Sequence, residues 1–316
     1  MKIISFNELA LEFTLSFTLY LCKEYLARQS IKEVIIMRVF VTGASGYIGS
    51  AVVFELLQAG HQVLGLTRSD HGAAMLHKLG AQVLEGDLDD LDCLQSGAAA
   101  ADGVVHLAFK HDFSDFAGSL ASDLRAVQAM GDVLIGSEKP YITTVHANGD
   151  ASDNAVLALS ERKVKASVIS LAPSVHGDGD KGFVPTLINI ARQKSVSAYI
   201  EEGTNRWPAV HRLDAANLYR LALEKAPAGS RLYGRAEEGI PFRDIATIIG
   251  KKLEVPVLSI SREQADEHFG FLGMIASLDL PSVMPGNAAQ TKALLDWHPR
   301  QLGLLADLEE GHYFTV

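Results

Sequence analysis

Short apolar runs alternate along the chain, from Arg38 onward, with segments whose apolar residues recur at helical spacing. This alternation is typical of βαβ units, in which parallel strands are joined by helices. Ile48, Val52 and Leu56 show the helical spacing, and Gly60 follows them where a helix C-terminus favours glycine. The strands that the pattern predicts are Arg38–Thr42, Gln62–Leu66, Gln82–Glu85, Gly103–Leu107, Pro140–Thr144 and Ala166–Leu171. Six such strands predict an α/β fold with a doubly wound parallel sheet.

The rhythm changes after Gly177. Residues Pro185–Gln193, Asp214–Lys225 and Pro241–Lys252 have helical spacing, Pro241 suits a first helical position, and Val255–Ile260 has the composition of a short strand. We therefore predict a Rossmann-type domain over residues 37–177, to which residues 208–235 return. Residues 178–316 are predicted to form mainly a smaller, mixed substrate-binding region.

The first 36 residues differ from the rest of the chain. Their apolar stretch, Phe13–Cys22, is too short to cross a bilayer, which takes about 20 residues. Glutamates precede it and no small-residue cleavage site follows, so a signal peptide is not favoured. Two interpretations remain: an extension outside the core, since Met37 directly precedes the first strand, or an amphipathic helix docked on the domain.

Composition excludes several classes of function. The hydrophobic share of 48% and the charged share of 21% are those of a globular protein. The net charge of −10 repels nucleic acid and anionic lipid, so neither is an expected partner. Only Cys22 and Cys93 are present, which favours a reducing compartment, the cytoplasm. The sequence contains no HExxH or CxxC motif and predicts no metal site. We expect a monomer or homodimer that acts on a small molecule.

A glycine motif follows the first strand. Residues Thr42–Gly49 read TGASGYIG, with Gly43, Gly46 and Gly49 between a strand and an amphipathic helix. Glycine permits a tight strand-to-helix turn, close approach of a pyrophosphate to the backbone, and close helix packing. The helix N-terminus adds free N–H groups and the positive end of its dipole. The motif predicts dinucleotide binding.

The TGxxGxxG spacing resembles the short-chain dehydrogenase/reductase superfamily, in its extended or atypical branch related to nucleotide-sugar epimerases and dehydratases. The similarity runs from Met37 to about Gly311 and is carried by GDLDD (86–90), ADGVVHLAF (101–109), LAPSVHGDGDKGFVP (171–185), WPAVHRLDAANLYRLALE (207–224) and LLDWHPRQLGLLADLEEG (294–311). The resemblance implies an oxidoreductase or epimerase-like activity on a carbonyl or hydroxyl group. The cofactor-binding residues that the motif and the resemblance indicate are Gly43, Ser45, Gly46, Tyr47, Ile48, Gly49, Asp87, Leu88, Leu107, Ala108, Phe109, Leu171 and Ser174. The substrate-binding residues that the resemblance implies are His176, Lys181 and Phe183.

The turn after the second strand bears on the choice of cofactor. An acid there commonly binds the ribose hydroxyls of NAD, whereas an arginine accommodates the 2′-phosphate of NADP. Arg68 and Ser69 occupy this turn, and Asp70 follows. The planar, permanently charged guanidinium of Arg68 favours NADP(H), with NAD as the alternative.

The catalytic pattern of the superfamily is incomplete in this chain. The resemblance implies a tyrosine four residues before a lysine, but no tyrosine here has that spacing. The segment from Val145 to Lys165 is also short for a loop, a catalytic helix and a turn. Thr144 and His146, at the end of the fifth strand, are the catalytic candidates that remain. Three hypotheses stay open: an NADP(H)-dependent enzyme, an inactive NADP(H)-binding regulator or redox sensor, and a variant that lacks the catalytic helix.

Overall fold

The computed structural model describes residues 36–112, 114–147 and 149–314. Contacts divide the chain into Met1–Ile36 and Met37–Val316, and everything below concerns the second unit. The predictions for the N-terminal extension lie outside the described residues. The strands are β1 Arg38–Thr42, β2 Gln62–Thr67, β3 Gln82–Glu85, β4 Gly103–His106, β5 Pro140–Thr144, β6 Lys165–Leu171, β7 Ser174–His176, β8 Ser197–Ile200, β9 Arg206–His211, β10 Ser230–Gly234, β11 Glu237–Pro241 and β12 Val257–Ile260.

Helices connect most of these strands. They are α1 Tyr47–Gln58, α2 Asp70–Leu79, α3 Leu91–Ala99, α4 Phe116–Leu134, α5 Asp150–Ala158, α6 Phe183–Lys194, α7 Arg212–Lys225, α8 Phe242–Leu253, α9 Ala265–Phe269, α10 Gly273–Ser277, α11 Leu280–Val283, α12 Ala288–Leu295 and α13 Leu304–Glu310. Short 3₁₀ helices span Leu159–Arg162 and Gly270–Leu272.

Seven parallel strands form the main sheet, in the order β10-β6-β5-β4-β1-β2-β3. The predicted doubly wound Rossmann sheet is therefore confirmed. Strand order reverses beside β1, which pairs with both β2 and β4, and ligands bind at such a switch point outside the carboxyl ends of the strands.

The main sheet is covered by helices on both faces. Val39 and Val41 of β1 pack into a core cluster shared with α1, α2, α7 and α12, whereas Phe40 packs into a cluster shared with α3, α4 and α5. Alternate residues of one buried strand thus serve opposite faces, as the pleat of a strand requires. Two-sided burial explains why the strands read as continuous apolar runs.

A smaller mixed region is built around the second half of the chain. Strands β11, β9 and β7 form one short sheet, with β9 antiparallel to β11 and parallel to β7, and β12 pairs with β8 in another. Its core contains Trp207, Phe242 and Leu304. The predicted mixed region is thus observed, and its role in binding substrate stays a prediction.

Two details differ from the sequence expectation. Pro241 is the N-cap of α8 and not its first helical residue, because its peptide still belongs to β11, which pairs with β9. The main sheet also has a seventh strand, β10, which was not predicted. This edge strand is short and half-polar, and its alternation is too weak to identify it from sequence.

Candidate functional site

The glycine turn between β1 and α1 depends on two crowded positions. Gly43 has φ +65°, and a Cβ there would lie 2.8 Å from the backbone nitrogen of Ala108. A Cβ on Gly49 would lie 2.0 Å from the carbonyl oxygen of Gly43. Both distances are shorter than van der Waals contact, so only glycine fits the turn at these positions.

Gly46 has a different environment. It is exposed, and a Cβ there would meet only the carbonyl oxygen of Gly43, at 3.1 Å. Gly46 is the N-cap of α1, where no side chain accepts a hydrogen bond from the first-turn N–H groups and no acid lies nearby in the turn. The N-terminal N–H groups, beginning at Tyr47 and Ile48, therefore present an uncapped positive dipole end beside open space. This arrangement suits a pyrophosphate.

A polar clamp lies across this turn. The hydroxyl of Tyr47 donates to the carbonyl of Gly177, 3.1 Å away, in the loop after β7. The guanidinium of Arg212 lies over the Tyr47 ring, 4.7 Å from its centroid, and donates to Asp178 O at 2.7 Å and to Ser50 Oγ at 3.1 Å. The clamp ties α1, α7 and the loop after β7 into one unit at the edge where ligands bind.

An open cavity of about 280 Å³ lies beside the ends of β2 and β3. The residues that line it are Arg68, Ser69, Asp70, Glu85, Gly86, Asp87 and Asp90. Asp87 Oδ1 accepts from the backbone N–H of Asp89 at 2.8 Å, and Asp90 Oδ1 accepts from Cys93 N at 3.0 Å, so both carboxylates cap local turns. Arg68 is exposed and is the one cation among the lining residues.

Not every residue predicted near the adenine lines this cavity. Leu88 is buried in the core cluster beneath the sheet, while Asp87 does line the cavity. Ser69 is the N-cap of α2 and accepts from Gly72 N at 3.2 Å. Ser45 Oγ lies 3.4 Å from Thr67 Oγ1, so it links the glycine turn to the end of β2.

A buried hydrogen-bond chain supports the turn after β4. Thr42 Oγ1 accepts from the backbone N–H groups of Leu107 and Ala108, at 3.2 and 3.3 Å, and lies 2.7 Å from His106 Nδ1. His106 Nε2 lies 3.1 Å from Asp123 Oδ1. A neutral imidazole satisfies both ends if Nε2–H donates to the carboxylate and Nδ1 accepts the threonine proton. The chain holds Leu107 and Ala108 beside the glycine turn.

Asp123 is the centre of this polar group. Burial acts to raise its pKa, but the hydrogen bond and charge of His106, together with a hydrogen bond from Ser152, outweigh burial and hold the pKa below its ordinary value. His146 Nε2 lies 3.9 Å from the same carboxylate oxygen. The carboxylate therefore faces two imidazoles from neighbouring strand ends. The sequence gave no signal for Asp123, which lies mid-helix in α4.

Rings gather where β4 and β5 end. Phe109 stacks on His146 with ring centroids 4.0 Å apart and an interplanar angle of 24°. Phe109 also makes edge contacts with His111 at 5.2 Å and Phe116 at 5.9 Å. Burial lowers the pKa of His146 to about 4, so its imidazole is neutral at pH 7.

Thr144, the other catalytic candidate, is already hydrogen-bonded. Its hydroxyl donates to the carbonyl of His106 at 3.2 Å and lies 2.7 Å from the hydroxyl of Tyr219. Because the threonine proton points to the carbonyl, the Tyr219 hydroxyl donates to Thr144 Oγ1. Burial raises the pKa of Tyr219, which lies on α7, 75 residues further along the chain. No local motif marks this tyrosine.

The predicted substrate residues occupy different environments. His176 is buried, with Nδ1 2.8 Å from Asp307 Oδ2. Phe183, at the start of α6, packs edge-on against Trp207 with centroids 5.8 Å apart. Lys181 is exposed in the loop between β7 and α6. His176 thus helps to fix the loop to α13, and the substrate contacts of all three residues stay a prediction.

The last two predicted cofactor residues lie after β5, at the end of the sheet. Leu171 ends β6 and is partly buried, with its side chain beside Gly234 of β10. Ser174 begins β7 and is buried, and its Oγ has no hydrogen-bond partner among the described residues.

The segment after β5 is as short as its length suggested. It forms α5, of nine residues, and the 3₁₀ helix Leu159–Arg162. Tyr141 is buried and donates to Val127 O at 3.2 Å, and Lys165 pairs with Pro140 at the amino end of the sheet. These residues lie at the edge opposite the glycine turn and do not replace the missing tyrosine and lysine.

Two general features can be stated for the described ranges. They contain no group of three or more His, Cys, Asp or Glu side chains placed to hold a metal ion. Within the same ranges, no helix has the length and apolarity needed to cross a membrane.

Known proteins share this sequence and fold. Residues 39–131 match the NAD dependent epimerase/dehydratase family. The chain is 46% identical to the uncharacterized protein C2A9.02 of Schizosaccharomyces pombe over 299 residues, covering 88% of this chain and 100% of that protein. It is 27% identical to a 2-alkyl-3-oxoalkanoate reductase of Stenotrophomonas maltophilia, covering 66% of this chain and 73% of the reductase. The dTDP-glucose 4,6-dehydratase DesIV of Streptomyces venezuelae, solved with NAD and TYD bound, has a TM-score of 0.64 at 17% identity, covering 86% of this chain and 95% of DesIV.

Proposed function

Because this chain belongs to the NAD-dependent epimerase/dehydratase family of short-chain dehydrogenase/reductase-like, NAD(P)-binding oxidoreductases, we propose that it is an NADP(H)-dependent oxidoreductase acting on a small carbonyl or hydroxyl substrate. The observation that carries the proposal is the uncapped N-terminus of α1 at Gly46, beside open space on the glycine turn. The named reductase relative supports carbonyl chemistry, and a bound NAD in DesIV supports dinucleotide binding on this fold.

The residues of the site fit a dinucleotide. We assign the pyrophosphate to the N–H groups of Tyr47, Ile48 and Gly49, since they point outward without a capping side chain. The adenosine ribose then falls in the cavity lined by Arg68 and Asp87. The nicotinamide side falls to Leu107, Ala108 and Phe109, and we extend it to Leu171 and Ser174 across the sheet edge.

The choice of NADP(H) over NAD(H) depends on the charges around the cavity. Arg68 is exposed toward the cavity, and Ser69 begins α2, whose N-terminus adds a second favourable site for phosphate. Asp70 and Glu85 act in the opposite direction. The carboxylates of Asp87 and Asp90 oppose phosphate less, because each already accepts from backbone N–H groups. We therefore propose NADP(H), with NAD(H) as the alternative.

When bound, NADPH would deliver hydride to the carbonyl carbon and become NADP⁺, while the carbonyl oxygen takes a proton to complete the alcohol. We propose that Thr144 orients the substrate oxygen, with Tyr219 donating to Thr144 Oγ1 from behind. The neutral imidazole of His146 supplies a hydrogen-bond donor rather than a full acid, because burial lowers its pKa to about 4. We place His176, Lys181 and Phe183 around the substrate.

A second candidate is an NADP(H)-binding protein without turnover that senses or regulates. The observations that favour it are the absent tyrosine–lysine pair and the short segment that ends in the nine-residue α5. A proton donor typically supplies 10² to 10⁴-fold of rate, so its loss would leave binding intact and chemistry slow. We further propose a cytoplasmic protein, monomeric or homodimeric.

The test combines binding with turnover. Titration with NADPH and NADH, followed by fluorescence, measures the affinity for each cofactor. Steady-state NADPH oxidation against a panel of aldehydes, ketones and sugar nucleotides then measures turnover. Binding with turnover supports the enzyme, binding without any turnover supports the regulator, and failure to bind either cofactor overturns both.

A further inference from the structure

An aromatic cluster occupies the ligand-binding edge of the sheet. It consists of Phe109 stacked on His146 and in edge contact with His111 and Phe116. Its members follow β4, follow β5 or begin α4, so they meet where the carboxyl ends of two neighbouring strands place a ligand. His111 is exposed and the other three are partly exposed. The cluster therefore presents ring surface to whatever binds there.

The cluster carries no charge at neutral pH. Burial lowers the pKa of His146 to about 4 and holds the pKa of His111 below its ordinary value. Phe109 and Phe116 are apolar. Neutral rings favour a neutral, apolar group, which gains from the loss of water and from ring stacking.

Cations near this edge are occupied by protein groups. Lys110 Nζ donates to Asp89 Oδ2 at 2.5 Å, and Arg212 is held in the clamp over Tyr47. Arg235 is buried and donates to the carbonyls of Pro285 and Gly286, at 2.8 and 2.9 Å. A nucleoside diphosphate needs several donors or cations to replace its water, and breaking these pairs would cost free energy.

Lys181 stands apart from these cations. It is exposed in the loop before α6. One exposed lysine contributes little to the binding of an anion. It does not offset the neutral surface of the cluster.

We infer that the aromatic cluster is the substrate subsite and that the substrate is a ketone carrying an uncharged aryl or alkyl group, rather than a nucleotide sugar. The inference rests on the proposed function. In the reaction, two electrons and a hydrogen pass as hydride from NADPH to the ketone carbon, and a proton from solvent or the protein completes the secondary alcohol, leaving NADP⁺. The aryl or alkyl group stacks on Phe109 and Phe116 while the carbonyl faces Thr144.

Saturation-transfer NMR tests the substrate class without requiring turnover. The probes are 1-phenyl-2-propanone and UDP-glucose, each measured on the protein alone and with NADP⁺ added. We expect saturation of the aryl protons of the ketone and none of the sugar nucleotide. Binding of UDP-glucose but not of the ketone, or binding of neither probe, would overturn the inference. Failure of NADP⁺ to bind would count against the proposed function, while the measurements on the protein alone would still decide the substrate class.

Variants of Phe116 locate the subsite. Phe116→Ala should weaken ketone binding about tenfold, since an aromatic pair contributes roughly 0.5 to 1.5 kcal/mol beyond its buried area, and should leave NADP⁺ affinity unchanged. Phe116→Leu should recover part of the loss. The matched control is Phe54→Ala, which removes a ring 47% exposed on α1. Equal ketone affinity in Phe116→Ala and the parent, with both folded by thermal melt, would place the ketone elsewhere.

Discussion

Replacing Arg68 by alanine tests the proposed choice of cofactor most directly. The guanidinium is the only cation lining the cavity beside β2 and β3, and it faces the carboxylates of Asp70 and Glu85 across that cavity. The substitution removes the charge and the donors but leaves the Ser69 cap of α2 in place. NADPH and NADH differ only in the 2′-phosphate, so the two cofactors report on this contact separately.

The magnitude follows from the exposure of Arg68. A hydrogen bond to a charged group is worth roughly 1.5 to 3 kcal/mol, and each 1.4 kcal/mol is a factor of about ten. Arg68 is exposed, so solvent screening places the expected loss at the lower end, about tenfold in NADPH affinity. NADH affinity should change by less than about twofold, because no 2′-phosphate is present to lose. Arg68→Lys should lie between, since lysine keeps a point charge without the planar fork.

Fluorescence titration of both reduced cofactors at low and moderate salt supplies the measurement. The control is Arg262→Ala, an arginine outside the cavity that pairs only loosely with Asp266, at 4.0 Å. It should leave both affinities unchanged. Equal losses of NADPH and NADH in Arg68→Ala, or a parent protein that binds NADH more tightly, would refute the assignment of Arg68 to the 2′-phosphate.

Four further predictions follow from the same structure. Gly46→Val should abolish binding of both cofactors, because its side chain would fill the open space beside the α1 N-terminus, and titration of the folded variant checks this. Deletion of Met1–Ile36 should leave a folded, cofactor-binding protein, and loss of binding would place the segment in the core. Asp153→Asn should raise the melting temperature more at pH 7 than at pH 4: burial raises the carboxyl pKa to about 6, so ionisation destabilises the native state as pH rises from about 4 to 6. Thr144→Ala and His146→Ala should each lower NADPH oxidation with little change in cofactor affinity, and turnover of about 10 per second that survives both would require another donor.

The strands of the main sheet were predictable because burial on both faces leaves continuous apolar runs. Arg38–Thr42, Gln82–Glu85 and Pro140–Thr144 have the predicted bounds, and the glycine spacing identified the turn that follows β1. The short strands β7, β9 and β11 were not predicted, because each pairs over only a few residues and depends on tertiary contacts that local pattern does not encode.

The site was only partly accessible from sequence for a similar reason. Motif spacing finds groups that share one turn, such as Gly43 and Gly46. It does not find groups that meet through the fold. Asp123 reaches His106 from 17 residues away, and Tyr219 reaches Thr144 from 75 residues away. Their residue types are common and their local surroundings on α4 and α7 are ordinary helix.

The Thr144–Tyr219 pair limits the chemistry that remains without the tyrosine–lysine motif. Thr144 already gives its proton to the carbonyl of His106, so it can accept a hydrogen bond or orient a substrate, but it can donate only by breaking that bond. Tyr219 is fully buried, and burial raises its pKa, so it holds its proton and passes a hydrogen bond to Thr144 rather than an acid's proton to substrate. A substrate oxygen that draws the threonine proton would leave the His106 carbonyl without it, and Tyr219 would then stabilise the exposed lone pairs of Thr144. Hydride transfer on this chain therefore depends on positioning by Thr144 and on a proton from water, which makes a slow reductase the consistent expectation.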